Sequence, residues 1–248
     1  MIYIKSKSEI QKIRESSRII AEALQFIEKF IAPGIDTRTL DREIESFILN
    51  KKARPAFKGL YGFPAATCIS INEEVVHGIP GKRKLVEGDI VGIDVGVELD
   101  NYFGDAAKTF MVGNVSPKVR HLCQVTEKSL ELCISQCRSG KRVGDISAAV
   151  QTHVEENSYS VVRDLVGHGV GYKPHEDPQI PNFGKKGKGP ILKEGMVLAI
   201  EPMVNMGTYK VLIDNDEWTV RTMDGLPSAH YEHTVAITEN GPVILSVI

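Results

Sequence analysis

The sequence predicts an α+β fold built from two related halves, on three observations. Each half reads as two amphipathic helices followed by strands. The octapeptide EGDIVGID (87–94) recurs as EGMVLAIE (194–201), with a carboxylate closing both copies. VVHGI (75–79) is echoed by VGHGV (166–170), so a histidine, His77 or His168, precedes each carboxylate-ended strand. The halves divide as about 1–113 and 114–248 of a single domain, sharing a curved antiparallel sheet with helices on its outer face and a site in its hollow. Spacing between the echoes differs because PHEDPQIPNFGKKGKGP (174–190) is read as an insertion in the second half.

Helices come first in each half. Ser6-Lys7-Ser8-Glu9 is a capping box, and Ile10, Ile13, Ile20, Leu24 and Ile27 follow at helical spacing until Ala32-Pro33-Gly34. Leu40, Ile44, Phe47 and Ile48 trace a second helix that ends before Ala53-Arg54-Pro55. Strands are expected over 66–71, 90–97 and 102–112. In the second half Ser116-Pro117 supplies an N-cap and first-turn proline for a helix through Val119, Leu122, Leu130 and Cys133 to Ser139-Gly140. A shorter helix runs through Ile146, Val150 and Val154, and strands are expected over 160–165, 196–204, 217–222 and 233–237.

Turn chemistry can be used to pair the acidic residues. Asp94 and Asp105 face one another if the chain reverses between residues 99 and 100, inside Glu98-Leu99-Asp100-Asn101. Glu201 and Glu232 require a reversal between 216 and 217, inside Asp214-Asn215-Asp216-Glu217. Opposed residues on one sheet face have Cβ atoms about 5 Å apart, so each hairpin is expected to present two carboxylates side by side. A buried carboxylate costs several kcal/mol unless compensated, so four of them, Asp94, Asp105, Glu201 and Glu232, with the imidazole of His168, imply bound cations. Carboxylates with one imidazole suit hard or borderline divalent ions such as Mn, Fe(II) or Co, and bridging carboxylates favour two ions about 3.5 to 4 Å apart.

Bulk properties narrow the alternatives. At 248 residues, with 25% charged side chains and a net charge of −2, the chain can build a sizeable core and carries no field suited to nucleic acid or an anionic membrane. No apolar run approaches the roughly 20 residues of a spanning helix, and MIYIKSKSEIQKIRESS lacks a signal-peptide core, so a cytoplasmic protein is expected. Cys68, Cys123, Cys133 and Cys137 have neither disulfide-framework nor zinc-finger spacing. GHGVGYKP (167–174) is not a phosphate loop, and Lys185, Lys186 and Lys188 read as a solvated basic loop.

The segments GIDVGVELDNYFGDAAKTF, GHGVGYKPHEDPQIPNF, LAIEPMVN and HYEHTVAITENG resemble the motifs of type I methionine aminopeptidases in their minimal bacterial form, dinuclear hydrolases with the pita-bread fold. The resemblance covers essentially the whole chain. It implies that Asp94 chelates one metal, that Asp105 and Glu232 bridge both, and that His168 and Glu201 complete the other. It further implies attack of an activated water on the carbonyl after the first residue of a peptide, with Glu201 shuttling the proton, His175 bonding the carbonyl oxygen and His77 the scissile nitrogen or following residue. A methionine pocket of Phe63, Cys68, His77 and Trp218 is implied, although Leu60 and Phe63 stand where tyrosines are often found and Phe57 where a cysteine can stand. The implied partners are N-terminal methionine peptides and nascent chains, met by a monomer with a transient ribosome contact and no membrane or specific nucleic acid. Two other readings are compatible with the same fold: a prolidase-type peptidase, distinguishable by cleavage of Xaa-Pro dipeptides, and a non-catalytic binding protein, which would have lost ligands.

Overall fold

The computed structural model describes residues 1–248. Helix α1 (Lys7–Glu28) starts on the reciprocal capping box of Ser6 and Glu9 and buries Ile13, Ile20, Ala23, Leu24 and Ile27. It stops at Glu28, four residues before Ala32-Pro33-Gly34, and those residues form the turn into α2 (Thr37–Asn50), capped by Asp36. Helix α3 (Pro117–Gln136) is capped by Ser116 and likewise ends three residues before Ser139-Gly140. Helix α4 (Val143–Glu156) is held at its start by Asp145, which accepts from Arg142 N at 2.8 Å and Gly187 N at 2.9 Å. The second of these bonds ties the basic loop to the helix while Lys185, Lys186 and Lys188 point to solvent.

Each half has its own core. Ile20, Leu24, Ile44, Ile69, Val91 and Val95 pack α1 and α2 on the first-half strands. Leu122, Cys133, Ile146, Leu198 and Val235 pack α3 and α4 on those of the second. Cys123, Cys133 and Cys137 lie in that core as free thiols. Helix α1 also crosses between the halves, because Ile13 packs with Val170, Val197, Ala199 and Ala236.

Hydrogen bonding groups the strands into four antiparallel sheets. In the first, Ile90–Leu99 pairs with Tyr102–Met111 and with Cys68–Ile71. In the largest, Val197–Ile200 lies between Val166–Gly169 and His233–Thr238, with Glu176–Pro181 and Gly241–Ile244 at the edges. The expected insertion is therefore partly an edge strand, Glu176–Pro181, whose prolines suit an edge. The expected strand over 160–165 shrinks to Ser160–Val161.

Register differs from expectation in the first hairpin and agrees in the second. Leu99 pairs with Tyr102, so the reversal is the two-residue turn Asp100-Asn101, both with positive φ (51° and 66°). That mirror-image turn matches strand twist. It shifts the pairing so that Asp94 faces Ala107 and Asp105 faces Gly96, which makes the two aspartates diagonal rather than opposed. The second reversal falls between 216 and 217. Ile200↔His233, Met203↔His230, Val211↔Thr222 and Ile213↔Val220 all mirror about that point, so three short ladders form one long interrupted hairpin. Glu201 and Glu232 lie one step beyond Ile200↔His233 in this register.

The halves are joined at the site. Glu232 N donates to Ala107 O at 2.9 Å and Ala107 N to Glu232 O at 3.4 Å. On one side Thr234 Oγ1 accepts from Asp105 N at 2.9 Å and donates to Asp105 O at 2.7 Å. On the other, Thr109 Oγ1 accepts from His230 N at 3.0 Å and donates to His230 O at 2.7 Å. Two threonine hydroxyls thus stand where ladder rungs would otherwise be.

Candidate metal centre

The pairings place a row of side chains across the strands: Cys68 beside Asp94, Asp94 beside Ala107, Ala107 beside Glu232, and Glu201 next in register. Paired residues share a sheet face, so the row looks into one hollow. Ala107, at its middle, contributes only a methyl group. Asp105 enters from the diagonal position, and His168 from the neighbouring strand.

Three sets of side chains in this hollow could hold a metal ion: Asp94, Asp105 and Glu232; His168, Glu201 and Glu232; and Asp105, His168 and His175. Within each set the ligand atoms lie within 4.8 Å of one another. Glu232, Asp105 and His168 each belong to two sets. His168 Nε2 is 3.5 Å from Glu201 Oε1 and 4.0 Å from Asp105 Oδ2. Its Nδ1 is 2.9 Å from Gly169 O, a bond that makes Nδ1 the donor and turns the Nε2 lone pair to the carboxylates.

The donors fit divalent cations on their unmet needs. Asp94 Oδ1, Asp105 Oδ1 and Glu232 Oε1 are buried without any hydrogen-bond partner, and such groups need compensation. Without a cation, burial pushes Asp94 up to about 7. Asp105, Glu201 and Glu232 rise well above the usual carboxylate range, from burial first and from one another's charge second. Burial, with His175 nearby, lowers His168 to about 3, so its imidazole is neutral and ligand-competent.

A pocket of about 340 Å³ opens over these residues, lined also by Phe57, Leu60, Tyr61, Phe63, Cys68, His77, His175 and Trp218. Every site residue expected from the sequence therefore borders one cavity. Phe63 and Trp218 meet edge to face at 5.2 Å. Burial raises the Cys68 thiol well above its ordinary range, so it stays a neutral, apolar wall group. His77 has a left-handed backbone (φ 59°), and the following Gly78 is required because a Cβ there would lie 2.3 Å from Ile69 O. His175 stands at the mouth, its ring centroid 4.5 Å from that of His168 and 6.2 Å from that of Tyr61.

Two residues here carried no role in the sequence reading. Tyr61 is 79% exposed at the rim, with a left-handed φ of 51° that no local pattern signals. His230 is 4% exposed, and its unpartnered Nε2 is 3.9 Å from both Glu201 Oε2 and Glu232 Oε2. Its signal was its place two residues before Glu232 on the same face.

The model of metallopeptidase family M24 matches residues 11–239. Methionine aminopeptidase from Clostridium perfringens is 53% identical over 248 residues, covering all of both chains. Methionine aminopeptidase 1 from Bacillus subtilis is 51% identical over 246 residues, or 99% of each chain. The chain belongs to the methionine aminopeptidases of family M24. The crystal structure of methionine aminopeptidase from Thermotoga maritima superposes with a TM-score of 0.98 at 46% identity, covering both chains fully. Prolidase from Pyrococcus furiosus superposes at 0.81 with 26% identity, but this chain spans 65% of it. The pita-bread fold expected from the sequence is thus the fold observed, and membership of a metallopeptidase family makes divalent metal use part of the assignment. No helix is long and apolar enough to cross a membrane.

Proposed function

We propose that this protein is a dinuclear methionyl aminopeptidase that removes the first residue from Met-initiated peptides and nascent proteins with a small second residue. The observation that carries this reading is the overlap of the cation sets. The sets Asp94–Asp105–Glu232 and His168–Glu201–Glu232 share Glu232, and Asp105 Oδ2, from the first, lies 4.0 Å from His168 Nε2, from the second, so one carboxylate of each half faces both sets. Asp94 would hold one ion, His168 and Glu201 the other, and Asp105 and Glu232 would bridge them. Mn, Fe(II) and Co suit this oxygen-rich set with one imidazole. Bound there, two divalent ions supply Lewis acidity, which makes water a nucleophile near neutral pH and polarises a carbonyl.

The protein's own groups do the rest. Glu201 accepts the proton of the attacking water and returns it to the leaving amine. His175 donates to the carbonyl oxygen as negative charge develops on it, and His77 holds the scissile nitrogen or the residue after it. Phe63, Cys68 and Trp218 offer the apolar, sulfur and aromatic surface that a thioether favours. The closed end beside Cys68 and Asp94 receives the free α-amine, and the rim at Tyr61 and His77 limits the second residue. All these groups come from one chain, so the site is complete within a monomer. Its four cysteines are free, which suits the reducing cytoplasm.

The test is titration of metal-free protein with Mn, Fe(II), Co and Zn against Met-Ala-Ser, N-acetyl-Met-Ala-Ser and Xaa-Pro dipeptides. Met-Ala-Ser cleavage rising to a plateau at two equivalents, with the acetylated peptide inert, is the expected result. Faster cleavage of Xaa-Pro dipeptides would replace the reading with a prolidase, and equal cleavage of the acetylated peptide would remove the aminopeptidase assignment.

A further inference from the structure

A buried ion pair lies just outside the catalytic hollow. Lys5 Nζ is 2.5 Å from Glu176 Oε2, and the two side chains are 1% and 0% exposed. The other carboxylate oxygen of Glu176 accepts from Tyr172 N at 2.6 Å and Lys173 N at 3.0 Å. The Lys5 ammonium sits 5.7 and 5.4 Å from the ring centroids of Tyr3 and Tyr172, and Lys5 N donates to Gly195 O at 2.7 Å. Two glycines make way for it. A Cβ on Gly171 would lie 2.9 Å from Lys5 Cε, and one on Gly195 would lie 2.8 Å from Lys5 O.

Such a pair is weak evidence for stability, since packed apolar side chains of similar volume do as well or better. What it supplies is geometry. Glu176 follows His175 directly and pairs across the ladder with Gly169, the neighbour of His168. No hydrogen bond to the His175 ring is present; the ring packs against His168 and Tyr61, and the backbone that carries it is set by the turn that Glu176 closes. We infer that Lys5 and Glu176 form a positioning pair through which the N-terminal segment fixes His175 toward the substrate carbonyl. Neither touches substrate.

The inference rests on the reading of His175 as the carbonyl donor, so His175→Ala is the control, expected to cut kcat roughly a hundredfold. The main test is the double variant Lys5→Met with Glu176→Gln, which leaves no unpaired buried charge and keeps an acceptor for Tyr172 N and Lys173 N. With metal-loaded protein and Met-Ala-Ser, kcat should fall about tenfold while KM and metal content stay unchanged. In metal-free protein labelled with ¹⁵N-histidine, the His175 ring resonances should broaden or double. Lys5→Arg, which keeps the cation, should restore most of kcat. A double variant with kcat within about twofold of wild type and unchanged His175 resonances overturns the positioning role. If His175→Ala has no effect on kcat, the donor assignment falls instead.

Discussion

The two carboxylate hairpins reach the same hollow by different routes. The first is continuous, ten residues per strand, and closed by Asp100-Asn101. The second runs from Val197 to Thr238, is broken into three ladders and keeps one register throughout. The tight turn sets its two aspartates diagonally; the long excursion sets its glutamates opposite. A short hairpin can supply ligands only. The long one also carries Met203 and Trp218 into the pocket wall, so two of the carboxylates and part of the cavity wall are built on one continuous piece of chain.

Despite that difference, each hairpin supplies one shared and one unshared carboxylate, and the shared one lies on the returning strand. This equivalence is where the comparison is easiest to break. Asp105→Asn or Glu232→Gln should abolish turnover and bring bound metal below one equivalent, whereas Asp94→Asn or Glu201→Gln should leave close to one. Metal analysis of purified variants decides it. Activity above about one tenth of wild type for either shared position in metal-replete buffer would separate the hairpins' roles.

Much of this site could be read in the sequence because hairpin register is arithmetic. The mirror point between residues 216 and 217 placed Glu201 against Glu232 although 30 residues and two further ladders intervene. The same arithmetic missed by one residue at Asp94 and Asp105. A two-residue turn with left-handed Asp100 and Asn101 was not distinguished from a four-residue one, and both place the aspartates on one face. The strand Glu176–Pro181 was hidden because its prolines and charges read as loop, and its role as an edge strand is a tertiary fact. The threonine bridges at Thr109 and Thr234 had no local signature, since they exist only where the halves meet.

The next effect is on stability. The raised carboxylates bind protons in the folded, metal-free state that they would release on unfolding. Metal-free protein should therefore lose stability as pH rises from the unfolded carboxylate range near 4 through the folded values, with Asp94 near 7. The lowered histidines, His168 and His230 near 3, work oppositely but only below their unfolded value of 6.5. Above about pH 6.5 the opposing histidine contribution is over, and the melting temperature of metal-free protein should fall as pH rises through the Asp94 value near 7. Metal should reverse the slope, because ligation releases protons, and should stabilise by about 2.7 kcal/mol at 100-fold Kd. Calorimetry with and without Mn across that range is the measurement; parallel pH profiles would show that the carboxylates are compensated without metal.

The seam allows a subtler comparison. Thr109→Val and Thr234→Val each remove one hydroxyl that both donates and accepts, leaving a buried N–H and C=O unmet at a cost of about 1–3 kcal/mol for each orphaned group. Their stability losses should be similar, read as denaturant midpoints. Their metal affinities should not. Thr234 holds the backbone of the shared carboxylate Asp105, whereas Thr109 holds His230. Weakened metal binding in Thr234→Val alone is expected; equal weakening would make the seam, rather than the ligand, the sensitive element.

The smallest effect is expected at the tip of the long hairpin. Trp218 lies beyond the turn of Asp216, which accepts from Trp218 N at 2.9 Å, and only its ring reaches the pocket, against Phe63. An aromatic pair adds about 0.5–1.5 kcal/mol beyond burial, or roughly a 2- to 12-fold change in binding. In the proposed methionine pocket the ring would meet the side chain of the first residue, which does not change as the carbonyl carbon becomes tetrahedral. Loss of such uniform binding raises KM and spares kcat. Trp218→Ala should therefore raise KM for Met-Ala-Ser several-fold at constant kcat, and should raise it less for norleucine-Ala-Ser, which lacks the sulfur that favours an aromatic neighbour. A fall in kcat instead would mean that the long hairpin positions the ligands through its tip. Its wall and its carboxylates would then be one mechanical unit rather than two functions sharing a chain.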